Sequence, residues 1–571
     1  MGGLLFVEIP DDGGMAKKLW MKFKDEAVFA MYTPFVVGLA SASLDSSTFL
    51  HCISQDVYFL QAFSKAYELA EAYADDDEDK EAISMLRKRV LKRLSDQHNL
   101  VRDWGFELPK DSTCDSATVK YTDFLMATAL GKVEGEKFPG KIVTPFEKTK
   151  LAAYTLSAIA PCMRLYSYVS KGIKAILEPQ EKTNPYEKWI DSLSSDIFEE
   201  TASTIEDLLD KLSISLTGGE LEIVEKLYHQ SLKLELEFIS VQPIIQSSSI
   251  VPVVSQVPVE SHLKVFCDFD MTCSAIDSSP LLAEMAILAS RKAYLNESET
   301  QPSQATASDL SATWGSLSCK YIEEFEQCIK RIIPTESVEN FDYNGLCKAL
   351  KNLDDFEKRA NQLVVDSGVL KGLCENDIRR AGEHLIFQRG CKFFFQEIMR
   401  SENLAVDVHV ISYCWSEDLI RSAFFSAGKP GSLSVHSNEL VYEGSITTGE
   451  IIQKVESPTD KLSAFNGILN SHESKSKPLT VYIGGSVGDL LCLLNADIGI
   501  VIGMTDRLRT LGERFGVTFI PFFSGLVKKH REVPGSSSFN WNSMSGILYT
   551  VSSWAEVHAA ILGMAILPPP I

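Results

Sequence analysis

At 571 residues the chain exceeds one ordinary hydrophobic core, so two or more domains are expected, and its 45% hydrophobic and 23% charged residues are globular proportions. A formal charge of −22 excludes a nucleic-acid partner, because phosphate backbones need clustered Lys and Arg, yet leaves small anionic substrates open. No uninterrupted apolar run reaches the roughly 18 residues of a membrane helix, and the twelve cysteines show neither a CxxC pair nor zinc spacing, so they read as reduced thiols.

The opening residues, MGGLLFVEIPDDGG, are acidic and lack arginine, unlike a transit or signal peptide, and Phe6 stands where myristoylation asks for Ser or Thr. As given, the chain is expected in the cytoplasm; a leader removed from a longer precursor would place it in the mitochondrion. From 15 to 240 apolar residues recur at three- and four-residue steps, as in STFLHCISQDVYFLQAFSKAYELAEAYA, and predict an all-helical domain. Charged stretches such as ADDDEDKEAISMLRKRVLKRL supply its solvated faces. Residues 241–262, with Pro243, Pro252 and Pro258 among Ser and Val, read as a linker.

From 263 to 571 the period changes. Short apolar runs at LKVFCDFD, VDVHVISY, LTVYIGG, IGIVIG, TFIPF and ILYTVSS alternate mostly with helical stretches, which predicts an α/β domain with a parallel sheet. A nearly all-helical insertion, about 279–404, separates the first two runs.

In the helical half, three polar residues fall on apolar stripes. Asp56 sits among Phe49, Ile53, Phe59, Leu60 and Phe63; Cys162 among Thr155, Ile159, Leu165 and Tyr166; Glu235 in line with Val224, Tyr228, Ser231 and Phe238. Burying an unpaired carboxylate costs several kcal/mol or raises its pKa, so two acids and a thiol on separate helices point to one shared polar pocket. Taken singly, each has a plainer reading, as a small buried hydrophobe or a helix-pairing acid. In the α/β half, VFCDFDMTCSAIDSS puts Asp268, Asp270 and Thr272 at the end of a strand, where paired carboxylates suit phosphoryl transfer.

The segments LWMKFKDEAVFAMYTPFVVGLASASLDSSTFLHCISQDVYFLQAFSKAYELA, KYTDFLMATA, APCMRLYSYV, NPYEKWIDSLSSDIF and SLKLELEFI resemble, in order, the TenA family of thiamin-salvage hydrolases. That resemblance implies a haem-oxygenase-like helical bundle, often a homo-oligomer, that binds an aminopyrimidine. It implies Cys162 as nucleophile, Glu235 as acid–base group, Asp56 holding the ring's amino substituent, and Tyr121 and Tyr166 lining the pocket. Leu193, Cys52, Leu234 and Leu236 depart from residues common in the family and predict a roomier, less polar pocket.

Residues 263–562 resemble the haloacid-dehalogenase (HAD) phosphatase superfamily. The resemblance implies Asp268 as the nucleophile that becomes an aspartyl-phosphate and Asp270 as its acid–base partner. It implies Thr272 and Ser412 on the substrate, Lys461 as the neutralising cation with Lys477 as alternative, and the helical insertion as a cap. It also implies Mg²⁺ held through Asp268, Asp270 and Asp489. In YIGGSVGD, Gly485 stands where a further acidic ligand is expected. The joined pair resembles the plant bifunctional thiamin-salvage family, with thiamin monophosphate and aminopyrimidines as small-molecule substrates. The alternatives are a HAD phosphatase for another small phosphate ester, or one half serving only as a binding or oligomerising module.

Overall fold

The computed structural model describes residues 13–103, 113–133, 144–177, 184–244, 249–257, 262–296, 306–336, 338–400, 405–425, 433–470, 477–532 and 541–564. The chain forms two compact units. The first runs to Pro252 and also takes in the stretch from Leu526; the second runs from Val253 to Gly525 and resumes after that stretch.

The first unit is all-helical among its described residues up to Pro252, as the periodicity predicts. Its long helices are Ser46–Tyr73, Asp77–Asp103, Pro145–Lys174, Asp196–Ser213 and Gly218–Ser240, with Ser116–Ala129 and four shorter ones, Met15–Lys22, Lys24–Met31, Pro34–Ala40 and Glu187–Leu193. Local chemistry starts them: Thr144 and Glu147 satisfy each other's backbone N–H in a capping box before Pro145, and Thr217 with Glu220 does the same before Gly218. Helix Ser46–Tyr73 buries Phe49, Ile53, Phe59, Leu60, Phe63 and Tyr67. The Phe59 ring meets Tyr121 at 4.9 Å and Phe238 at 4.7 Å, both edge-on, so three helices lock around one aromatic centre.

Among its described residues the second unit carries nine strands: β1 Leu263–Cys267, β2 Val406–Ile411, β3 Leu433–His436, β4 Glu439–Glu443, β5 Ile446–Ile452, β6 Leu479–Gly484, β7 Ile498–Ile502, β8 Thr518–Pro521 and β9 Ile547–Val551. Seven form one parallel sheet in the order β3-β2-β1-β6-β7-β9-β8, and β4 and β5 pair as an antiparallel hairpin. The six expected runs are β1, β2, β6, β7, β8 and β9. Strands β3 to β5 are additional: β3 has only four residues, and Glu, Thr and Gly interrupt the apolar residues of β4 and β5, so none carries a long apolar run. Helices Ser278–Asn296, Ala307–Ile332, Tyr343–Ser367, Glu375–Glu383 and Cys391–Arg400 lie between β1 and β2, where the helical insertion is expected.

Chain order reverses beside β1, which has β2 on one side and β6 on the other. A crevice opens at the carboxyl ends of strands at such a switch point. Asp268 follows β1, Ser412 follows β2 and Gly485 follows β6, so three expected site segments meet there. Buried Leu346, Leu350 and Leu353 of the cap share one apolar cluster with Phe266, Tyr482 and Leu491 of the sheet layer, which anchors Tyr343–Ser367 beside this edge.

Candidate active sites

The first unit brings its expected residues together. Cys162 and Tyr121 both stand within hydrogen-bonding reach of the Glu235 carboxyl, and Asp56 is close enough for its charge to act on it. Cys162 follows Pro161, whose missing N–H interrupts the ladder of helix Pro145–Lys174. The neighbouring Ala158 carbonyl accepts from the Ser231 hydroxyl at 2.8 Å. The Tyr121 hydroxyl lies 2.9 Å from that of Ser231 and within reach of the Glu235 carboxyl, with one proton to give to either.

Burial lifts the Glu235 carboxyl to about 7, against the lowering hydrogen bonds from Cys162 and Tyr121. Burial first, and Glu235 second, push the Cys162 thiol far above its ordinary range. The resting thiol is therefore protonated, and Glu235 is the group placed to take its proton. Tyr166 is near Glu235, Cys162 and Asp56, and its ring packs 6.4 Å from Trp189. A cavity with an almost wholly apolar wall, lined in part by Cys52, Leu165, Tyr166, Trp189 and Leu193, adjoins this chamber. Two of its wall residues, Cys52 and Leu193, are family departures that predict a less polar pocket.

Two residues absent from the sequence reading complete the site. Arg93 donates to Asp56 Oδ2 at 3.0 Å, and Gln97 Nε2 donates to the same oxygen. Both lie on helix Asp77–Asp103, whose charge disguises them. The signal was present nonetheless: Arg93 and Gln97 continue the stripe of buried Ile83, Leu86 and Val90 at steps of three and four.

In the second unit, Lys461 is the centre. Its ammonium, 1% exposed, donates to Asp268 Oδ1 at 2.7 Å and Asp489 Oδ1 at 2.8 Å, and lies 4.3 Å from the Tyr413 ring centroid. The Thr272 hydroxyl donates to Asp268 Oδ2 at 3.2 Å. Ser412 is fully buried directly after β2 and accepts from the Cys414 N–H at 3.1 Å. Asp270 turns toward Ser278, whose N–H and hydroxyl each donate at 2.9 Å. Lys477, the alternative cation, pairs instead with Asp497 at 3.0 Å just before β6, with 75% of its side chain exposed.

The charges divide unequally. Burial raises Asp268, and the charge of Asp489 adds to it, while Lys461 pulls the other way. Burial also opposes ionisation of Asp489, but Lys461 and the Ser486 donors outweigh it and hold the carboxyl down. The partners thus shift oppositely. Asp489, with more donors, is the fully ionised member, and Lys461 stays protonated between the two. Asp270 is pushed up, first by burial and then by Asp277 and Asp268, so it carries its proton near neutrality.

The expected magnesium set needs correction. Asp489 is no spare ligand: Oδ1 accepts from Lys461 and Tyr482, and Oδ2 from the Gly485 N–H, the Ser486 N–H and the Ser486 hydroxyl. Five donors saturate a carboxylate. Gly485 offers no side-chain oxygen, and a Cβ there would fall 2.2 Å from the Ile502 carbonyl oxygen at the end of β7. Among the described residues no group of three His, Cys, Asp or Glu stands ready to hold a metal. The side chains present therefore form no three-carboxylate magnesium site by themselves, and an ion bound here would rely on Asp268, a backbone carbonyl, substrate phosphate and water. The glycines of YIGGSVGD serve close packing: a Cβ at Gly484 would meet the Asp489 carboxyl at 2.6 Å.

A helical bundle of TenA type with a buried Cys–Glu–Tyr site, joined to a HAD-type parallel α/β unit with paired acids after β1, defines a two-domain hydrolase class. No family model matches the chain. It is 52% identical over 550 residues to the bifunctional TH2 protein, mitochondrial, of Arabidopsis thaliana, covering 96% of this chain and 89% of that one, and it belongs to that family. An aminopyrimidine aminohydrolase of Halalkalibacterium halodurans is 24% identical over 36% of this chain and 84% of its own length. A solved phosphoserine phosphatase carrying a phospho-aspartyl analogue is 16% identical over 44% of this chain and 90% of its own, at a TM-score of 0.27. No described helix is long and apolar enough to cross a membrane.

Proposed function

We propose that the chain is a bifunctional hydrolase of thiamin metabolism. Residues 263–571 would release phosphate from thiamin monophosphate, and residues 15–240 would convert aminopyrimidine breakdown products to hydroxymethylpyrimidine. The observation that carries the reading is the buried ammonium of Lys461 against Asp268, set after β1 with the proton-bearing Asp270 two residues on. Family membership and the Cys162–Glu235 contact support the second activity.

In the phosphatase half, an Asp268 oxygen attacks phosphorus and forms an aspartyl-phosphate as the ester oxygen departs. Asp270 gives its proton to that oxygen, then accepts one from the water that cleaves the acyl phosphate. Lys461 offsets the negative charge that gathers between carboxylate and phosphoryl group, and Thr272 and Ser412 position it. In the helical half, Cys162 adds to the electron-poor ring as its proton passes to Glu235, which returns a proton to the departing amine. Water then replaces the amine and the thiol is released. Asp56, Tyr121 and Tyr166 hold the ring.

Localisation to the mitochondrion, on the relative's name, and a homo-oligomer through the helical half belong to the same proposal. Phosphate release from thiamin monophosphate and ammonia release from the aminomethylpyrimidine test it. Asp268→Asn should abolish only the first and Cys162→Ala only the second; a protein inert to both substrates overturns it. Gly485 favours one rival, in which the second unit serves only as a binding or oligomerising module without turnover.

A further inference from the structure

The cap carries a carboxylate that the phosphoryl chemistry does not use. Glu357, on helix Tyr343–Ser367, is partly buried and accepts from the Tyr321 hydroxyl at 3.0 and 3.2 Å; no Lys or Arg pairs with it among the described residues. Its place is fixed from both sides. Three residues earlier, Asp354 accepts from the Thr459 hydroxyl and N–H at 2.6 and 3.2 Å, two positions before Lys461. Four residues later, Asn361 accepts from Trp415 Nε1 at 3.1 Å, three positions after Ser412. Residues 354, 357 and 361 share one helix face, so Glu357 looks onto the space between the lysine helix and the Ser412 loop.

The walls there are aromatic. Tyr321 packs 5.3 Å from Phe356 and 5.8 Å from Phe325, Trp314 meets Trp415 at 6.3 Å, and Tyr413 lies over Lys461. Glu357 also acts electrostatically on Tyr413, and Asp277, next to the Asp270–Ser278 loop, acts on Tyr321. The same cleft therefore holds the carboxylates of Asp268, Asp277, Asp489 and Glu357, with Asp270 carrying its proton, against the ammonium of Lys461 and the Arg507 guanidinium over Phe325. That excess of carboxyl groups is a poor setting for an ester whose only charge is its phosphate. It favours one that brings a positive charge of its own, at the end away from phosphorus, and aromatic faces favour a flat cation.

We propose that Glu357, held by Tyr321, is a specificity-determining residue that selects phosphate monoesters whose alcohol carries a flat, positively charged ring. This rests on the reading that the second unit holds a phosphomonoester at Asp268 and Lys461. Burial, against the Tyr321 hydrogen bond, lifts the Glu357 carboxyl to about 7, as suits a group waiting for a cation. A neutral alcohol would leave it unpaired, and an anionic one would be repelled.

The test is equilibrium binding of two esters to the full chain carrying Asp268→Asn, which blocks turnover. One is a phosphoethyl thiazole, neutral in its ring; the other is its N-methyl thiazolium. The thiazolium should bind about 10-fold more tightly, the size of one cation–π and charge contact. Adding Glu357→Gln, which still accepts from Tyr321, should cut that preference to within about 2-fold and leave the neutral ester's affinity unchanged. Tyr321→Phe, which frees the carboxyl, should give an intermediate preference and serves if the Gln variant does not fold. Equal affinity for the two esters, or equal losses for both in Glu357→Gln, overturns the inference alone. Failure to bind either ester overturns the phosphate-site reading and the inference with it.

Discussion

The two candidate sites meet the same difficulty, carboxylates enclosed by protein, and resolve it in opposite ways. In the helical unit Glu235 has only neutral hydrogen-bonding partners, Cys162 and Tyr121, and the nearby guanidinium of Arg93 is taken by Asp56. Its carboxyl therefore rises to about 7 and becomes a group that can take or give a proton. In the α/β unit an ammonium lies between Asp268 and Asp489 and keeps charge in place. Desolvation without a counter-ion makes an acid–base group; desolvation with one makes an electrostatic clamp.

The largest effect that would break this contrast is Lys461→Met. It leaves Asp268 and Asp489 enclosed without a cation, so denaturant titration should show a loss of about 3–5 kcal/mol from the second unit. Phosphate release should fall by about 10³-fold or more. A variant that keeps both activity and stability would show that the ammonium is no clamp.

Glu235→Gln sharpens the other side. The folded carboxyl titrates at about 7 against an unfolded 4.5, so its penalty is absent below the lower value and complete above the higher. Between them the parent loses stability as pH rises, while the neutral amide does not. The variant should therefore match the parent at pH near 4 and exceed it by about 3 kcal/mol above pH 8. An unchanged difference across that window would mean that Glu235 is ionised when folded. The same titration bears on hydrolysis: kcat/KM for the aminomethylpyrimidine should rise with pH through about 7, as Glu235 becomes able to accept the Cys162 proton.

Gly485→Asp probes the missing ligand with a smaller effect. Its Cβ would stand 2.2 Å from the Ile502 carbonyl, a backbone atom that cannot simply swing aside. Thermal unfolding should shift down by several degrees, as for about 1–3 kcal/mol of overpacking, without a gain in phosphate release. A magnesium-dependent gain would show that the β6 loop relaxes to receive the side chain. The smallest effect belongs to Lys477→Ala: the lysine is exposed and buried Asp497 keeps the Thr480 N–H and hydroxyl as donors, so the loss should be less than about 1 kcal/mol and phosphate release untouched.

Much of the architecture was legible because apolar periodicity is a local property of the chain. The long helices of the first unit and the six core strands follow from it, and so does the position of Asp268 at a strand end. The β4–β5 hairpin was not legible: its strands lie outside the main sheet, and Glu, Thr and Gly break up their apolar residues. Arg93 and Gln97 were hidden by the charge of their helix, although their stripe spacing could have exposed them. The TenA and HAD assignments came from resemblance, since spacing alone does not name a substrate.

The sequence by itself determined which residue types were available: a thiol and two acids on apolar stripes, two aspartates after a strand, a glycine where an acid is expected. It could not determine how those groups share their lone pairs and protons. Tertiary packing decided that Lys461 rather than Lys477 reaches Asp268, that five donors saturate Asp489, and that Glu357 turns onto the phosphate cleft. The reason is physical. Periodicity depends on neighbours a few residues apart, whereas hydrogen bonds, desolvation and charge depend on distances across the fold, as between Lys461 and Asp268, 193 positions apart.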